Sequence, residues 1–195
     1  MRSSFLIALL SSLALFPQQG PQQRLQQADI WKHVPTEPDA QPKRVTPNAR
    51  QAAIIRKALK AREDLDVEGC GSEEPNWAEK VLIRELPISE TEKALLVEAG
   101  VGCARGGQGA NGAMWVVRFE GNRLSFLATP EEKFEGWPYS IQPTTSHGLR
   151  DLVVGWHIGG AEIGLSYFRF DGTSYQQVGT AVLVYEDGAK IVPNR

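Results

Sequence analysis

The chain has few of the residues that usually carry chemistry. It holds two cysteines, three histidines and two methionines in 195 residues, and no GxSxG, HExxH or paired-carboxylate signature. Two isolated cysteines do not make a CxxC pair, so no zinc site is expected. Long apolar runs are also missing. The stretch Phe5 to Phe16 covers twelve residues and is broken by Ser11 and Ser12, whereas a membrane-spanning helix needs roughly 20. Stable membrane insertion is therefore not expected once this segment is removed. The positive charge has no interleaved aromatics and the bulk of the chain is acidic, which argues against nucleic-acid binding. No cofactor or metal is implied.

The first twenty residues read as a secretory signal, with Arg2 as the positive start, the short apolar run, and Pro17 ending it. Cleavage after Ser12-Leu13-Ala14 or after Gly20 both fit in part. This reading places the protein in a secreted or periplasmic compartment. The even cysteine count then favours a Cys70–Cys103 disulfide over a free nucleophilic thiol, because an oxidising compartment would consume the latter.

From Pro21 to Arg62 nine Lys and Arg stand against three Asp and Glu, and from Glu63 to Arg195 eleven stand against twenty. A basic arm precedes an acidic body, as two solvated surfaces or as an arm folded onto that body. Residues 21–45 contain Pro35, Pro38 and Pro42 with few apolar groups, the composition of a flexible linker. A single domain is expected over 46–195. Thr46-Pro47 supplies an N-cap and a first-turn proline for a helix over about 46–66, with Ala52, Ile55, Ala58, Leu59 and Arg62 along one face.

Beyond Trp77 the pattern changes to strands. Hairpins are expected at Glu120-Gly121, Asp171-Gly172 and Asp187-Gly188, where glycine meets the positive φ of a tight turn between β-rich runs. Two units share the order strand, turn, strand, loop, strand, turn, strand, over Glu79–Ala128 and Trp137–Val178. The fold class is α+β, mostly β, as antiparallel hairpin or meander sheets built from two blade-like four-strand units plus one N-terminal helix. Period-two alternation puts Trp115, Val117 and Phe119 opposite Met114 and Val116, and Phe168 and Phe170 opposite Tyr167 and Arg169.

The second unit, DLVVGWHIGGAEIGLSYFRFDGTSY, resembles the VCBS or FG-GAP type of β-blade repeat within exported bacterial proteins. The resemblance implies an extracellular adhesion or scaffold role. Pro143, Thr145 and His147 stand where that family carries calcium carboxylates, so no calcium is expected.

Gly107 to Gly112 spells GxGxxG, but a strand rather than a helix follows, which excludes a dinucleotide site. The aromatics are read mostly as core, with Tyr167, Arg169 and Tyr175 as a patch for a protein or glycan partner. His147, Asp151 and His157 form the one cluster for an alternative hydrolase or metal-dependent enzyme. Within it, His147 is expected to approach Asp151 across a turn. The leading reading is an exported, non-catalytic binding or scaffold module.

Overall fold

The computed structural model describes residues 29–61, 77–99, 111–160, 162–186 and 188–194. Among them the alternating runs form nine strands. These are β1 (Leu82–Pro87), β2 (Lys93–Glu98), β3 (Gly112–Glu120), β4 (Arg123–Ala128), β5 (Glu135–Ser146), β6 (Leu149–Gly159), β7 (Glu162–Phe170), β8 (Tyr175–Val184) and β9 (Lys190–Pro193). Each pairs antiparallel with its neighbours in the order β1-β2-β3-β5-β6-β7-β8-β9, with β4 also on β3. The two four-strand units are β1–β4 and β5–β8, and β9 adds the last hairpin.

The units meet along β3. Its later residues carry β4, while Gly112 and Ala113 pair with Gly136 and Glu135 of β5. This two-residue seam makes one continuous sheet, which curls into a half-barrel as β4 and the 3-10 turn Pro130–Glu132 approach β8. The protein is thus mostly antiparallel β with one α-helix, α1 (Ala49–Lys60), among the described residues.

Alternation along the strands separates three apolar layers. Met114, Val116, Leu152, Val154, Phe168 and Phe170 meet inside the curl. Trp115 and Val117, on the other face of β3, pack beneath Ile55 and Leu59 of α1. Val153, Leu165, Tyr167 and Leu183, on the outer face of β6–β8, are covered by Ile30, Trp31 and Val34.

That third layer corrects the linker expectation for residues 29–45. Ile30, Trp31 and Val34 are buried, and the prolines that follow them do not stop the segment from bonding to the sheet. The Tyr139 hydroxyl donates to the Pro35 carbonyl, the Ile141 N–H to the Asp39 carboxylate and the Asp39 N–H to the Tyr139 carbonyl. Farther on, Val45 N–H donates to Ile83 and Glu85 N–H to Lys43, so the segment closes the free edge of β1. A proline-rich stretch lacks regular structure of its own, yet a few large apolar side chains are sufficient to dock it. Apolar burial and backbone bonds hold this arm; the described ion pair of Lys32, with Asp29, lies within it.

Two local expectations also shift. The helix is capped by the Asn48 side chain, which accepts from Gln51 N–H at 2.9 Å, so it starts two residues after the anticipated Thr46 cap. The Asp171-Gly172 hairpin is a four-residue loop: Phe170 pairs with Tyr175, and the Asp171 carboxylate accepts the Thr173 and Ser174 N–H groups. Those backbone donors hold the Asp171 carboxyl below the usual range. At Glu120-Gly121 the two turn residues are Gly121, at φ 61°, and Asn122.

Candidate functional site

β6 carries all three members of the proposed acid, base and metal cluster, or their flanks, and its geometry separates them. His147, at φ 49°, and Gly148, at φ 83°, form the two-residue turn between β5 and β6. The His147 ring points toward the neighbouring Asp171-Gly172 loop, where a Cβ on Gly172 would sit 3.8 Å from Nδ1. His157 lies six residues beyond Asp151, about 20 Å along the strand at roughly 3.3 Å per residue. It is exposed, and its backbone is clamped by Asn111, whose amide accepts from His157 N–H at 2.7 Å and donates to its carbonyl at 3.3 Å. The three residues do not converge.

Asp151 is buried to 1% exposure in the outer layer. Its carboxylate accepts from Ser146 Oγ at 2.7 Å, Thr144 Oγ1 at 2.9 Å and the Tyr167 hydroxyl at 3.1 Å, and it faces Arg169 Nε at 3.5 Å. The His147 approach expected across the turn is replaced by these hydroxyls. Burial pushes the Tyr167 hydroxyl up to about 12, with the Asp151 charge adding to it and the Thr144 bond and Arg169 opposing.

The anticipated Tyr167, Arg169 and Tyr175 patch is divided between two faces. Residues paired directly across an antiparallel ladder point the same way. Tyr175 pairs with Phe170, so it enters the inner layer, where its hydroxyl donates to the Arg150 carbonyl at 2.9 Å. Only a connection with an odd number of residues would have turned it toward Tyr167. Tyr167 itself is buried beneath the arm, with Trp31 edge-on to its ring at 5.6 Å. Arg169 remains half-exposed, lining a cavity of about 330 Å³ with Tyr167 and Thr144, roofed by Asp29, Ile30 and His33 of the arm. The Cys70–Cys103 pair and most of the GxGxxG run lie outside the described residues. Within the run's end, Asn111 leads into β3 and not into a helix.

A second site was not foreseen. In β6 and β7, Trp156 pairs with Gly164, and a Cβ at Gly164 would collide with Trp156 Cε2, Cζ2 and Cδ2, Cε2 first. Cε2 is a ring-fusion atom with all three bonds in the indole plane, so it can be approached this closely only from a ring face. The indole therefore lies flat on Gly164. Trp137 and Gly155, paired between β5 and β6, repeat the arrangement on the outer face.

Trp156 is half-buried and lines a cavity of about 290 Å³ at the mouth of the half-barrel, with Lys133, Glu135, Ser166, Gln177 and Thr180. The sequence folds that way for local reasons. Thr129 and Glu132 cap the 3-10 turn reciprocally, and Lys133 follows in the left-handed region at φ 62°, turning the chain so that Lys133 and Glu135 reach the rim. In β8 the pairing jumps from Phe168–Gln177 to Tyr167–Gly179, a bulge at Val178. The extra residue puts Gln177 and Thr180, three apart, on one face, since each is in register with an inward residue, Phe168 or Ser166. Strict alternation would have put them on opposite faces. Partial desolvation raises the Glu135 carboxyl above its ordinary range. The legible signal was the repeated Gly-Trp pair, Gly136-Trp137 and Gly155-Trp156.

Compared with known proteins, the chain matches no protein-family model, no curated protein and no solved structure.

Proposed function

We propose that this chain is an exported, non-catalytic binding module whose ligand enters the mouth of the half-barrel. The observation that carries this reading is the Trp156 indole lying flat on Gly164 and turned into a cavity whose other lining residues carry polar side chains. A ligand pocket typically combines an aromatic wall with a few placed polar groups, and this mouth has both. The enzyme alternative lacks comparable support, because the Asp151 carboxylate is committed to three hydroxyls and an arginine while His147 and His157 lie apart from it. Export, the Cys70–Cys103 bond and a scaffold role of the VCBS or FG-GAP type belong to the same reading, supported by the N-terminal apolar run and the strand order of the two units. The test is a nuclear magnetic resonance titration of the exported chain with peptides, nucleotides and saccharides. Shifts at Trp156, Gln177 and Glu135 are expected. Shifts confined to His147, Asp151 and His157, or conversion of any probe to product, would overturn it.

A further inference from the structure

Resting on that reading, we infer that the mouth of the half-barrel is a saccharide site, with the Trp156 indole as the platform for the apolar face of an uncharged sugar ring. The indole is backed by the main chain at Gly164, because no side chain separates them. Its position is therefore set by the sheet, and stacking on it orders no flexible residue, which lowers the cost of binding. A pyranose presents C–H groups on one face and hydroxyls around its edge, matching a flat ring surrounded by hydrogen-bonding groups.

The polar groups around the plate suit such an edge. Gln177 uses one N–H on Ser166 Oγ at 2.9 Å, and the rest of a primary amide's inventory is a carbonyl and a second N–H. Thr180 Oγ1 accepts from Asn194 at 2.9 Å, and its own O–H is still a donor. Asn111 also lines the cavity, but its amide is committed to the His157 backbone. Lys133 and Glu135 bring one charge of each sign to the rim, so the lining has no net charge to attract an anion. A phosphate or carboxylate would be favoured by Lys133 and opposed by Glu135. At about 290 Å³ the space lies at the small end of ligand pockets, which run from roughly 300 to 1,000 Å³. One or two sugar rings fit that size better than a long chain.

The test uses the full exported protein with mono- to tetrasaccharides of the glucose, mannose, galactose and N-acetylglucosamine series, and with glucuronic acid and inorganic phosphate as anionic probes. Calorimetry and tryptophan fluorescence report affinity, and resonances of the Trp156 indole N–H and the Gln177 amide report location without any substitution. At least one neutral series should bind and move both resonances. Trp156→Ala should weaken that binding tenfold or more, Trp156→Phe should retain part of it, and Gln177→Ala should weaken it severalfold. Neutral sugar that moves resonances elsewhere and not at the mouth overturns both the inference and the binding-module reading, whereas neutral sugar that moves the mouth resonances but binds with unchanged affinity in Trp156→Ala overturns the inference and leaves the binding-module reading standing. So does a peptide that moves the mouth resonances where no sugar does. Tighter binding of glucuronate or phosphate than of neutral sugar at the mouth overturns the uncharged class. If no probe of any class moves the mouth resonances, the inference and the binding-module reading fall together.

Discussion

The Asp151 carboxylate accepts hydrogen bonds from Ser146, Thr144 and Tyr167 and faces Arg169, so its removal would orphan the buried Tyr167 hydroxyl and take an acceptor from the more accessible Thr144 and Ser146. Asp151→Ala should destabilise the fold by about 3 kcal/mol, since both the charged hydrogen bonds and the orphaned hydroxyl count. Asp151→Asn, which keeps one acceptor oxygen and the volume, should cost less. Urea unfolding of the two variants ranks them, and equal midpoints would contradict the network. Tyrosine burial sets a pH limit in the same layers. Tyr139, Tyr167 and Tyr175 are all raised, chiefly by burial, Tyr167 to about 12. The folded state therefore binds these protons more tightly than the unfolded chain, whose tyrosines titrate near 10. This contribution is complete below about pH 10 and is lost as pH rises toward 12 and beyond. Unfolding midpoints measured from pH 8 to 12 should fall steeply above 10, and Tyr167→Phe should flatten part of that fall. Asp151 was visible as a candidate from sequence, but its role was not. Its partners come from β5 and β7, seven residues before it and sixteen after, and only strand pairing brings those hydroxyls to one carboxylate.

At the scale of elements, the two loops at the His147 end show which features of the sequence carry structural weight. Gly172 sits at φ 105°, where a β-branched residue is strained by about 1–3 kcal/mol. Gly172→Val should lower the thermal midpoint by several degrees. His157→Ala, at an exposed position whose bonds to Asn111 use the backbone alone, should stay within about 0.5 kcal/mol of the parent. The reverse order in thermal unfolding would contradict the assignment of both residues. The arm makes the sharper test. Trp31 is 5% exposed and packs on Tyr167, so Trp31→Ala should cost about 3–5 kcal/mol, the range for truncating a buried aromatic. A true linker would lose nothing, and guanidinium unfolding distinguishes the two. Composition suggested a linker because proline removes backbone donors and fixes φ. It could not show that Ile30, Trp31 and Val34 meet an uncovered sheet face, since that face is assembled from strands more than a hundred residues later.

For the whole molecule, one continuous sheet is covered outside by α1 on the β1–β4 half and by the arm on the β5–β9 half. Export would place Cys70 and Cys103 in an oxidising compartment. Intact mass of exported, unreduced protein should then lie about 2 Da below the dithiol value, the two hydrogens lost on disulfide formation. Two titratable thiols in that material would contradict the bond.

Strand positions, their four-strand grouping and the division of Met114 to Phe119 and of Tyr167 to Phe170 between two faces were determined by the sequence alone, because a two-residue period and glycine at turns are local properties. The cap of α1 was legible to within two residues, since Thr46 and Asn48 both offer an acceptor at the right distance from a helical start. The tertiary structure decided what locality cannot. It joined the two units through Gly112 and Ala113, surrounded the Asp151 carboxylate with hydroxyls from β5 and β7, and set Tyr175 in the core through its register with Phe170. It also made the mouth, where Trp156 finds its backing on Gly164 of a neighbouring strand and a single bulged residue, Val178, turns Gln177 and Thr180 to the same face. Register, bulges and cross-strand partners depend on how distant segments pack, and no window of sequence contains that information.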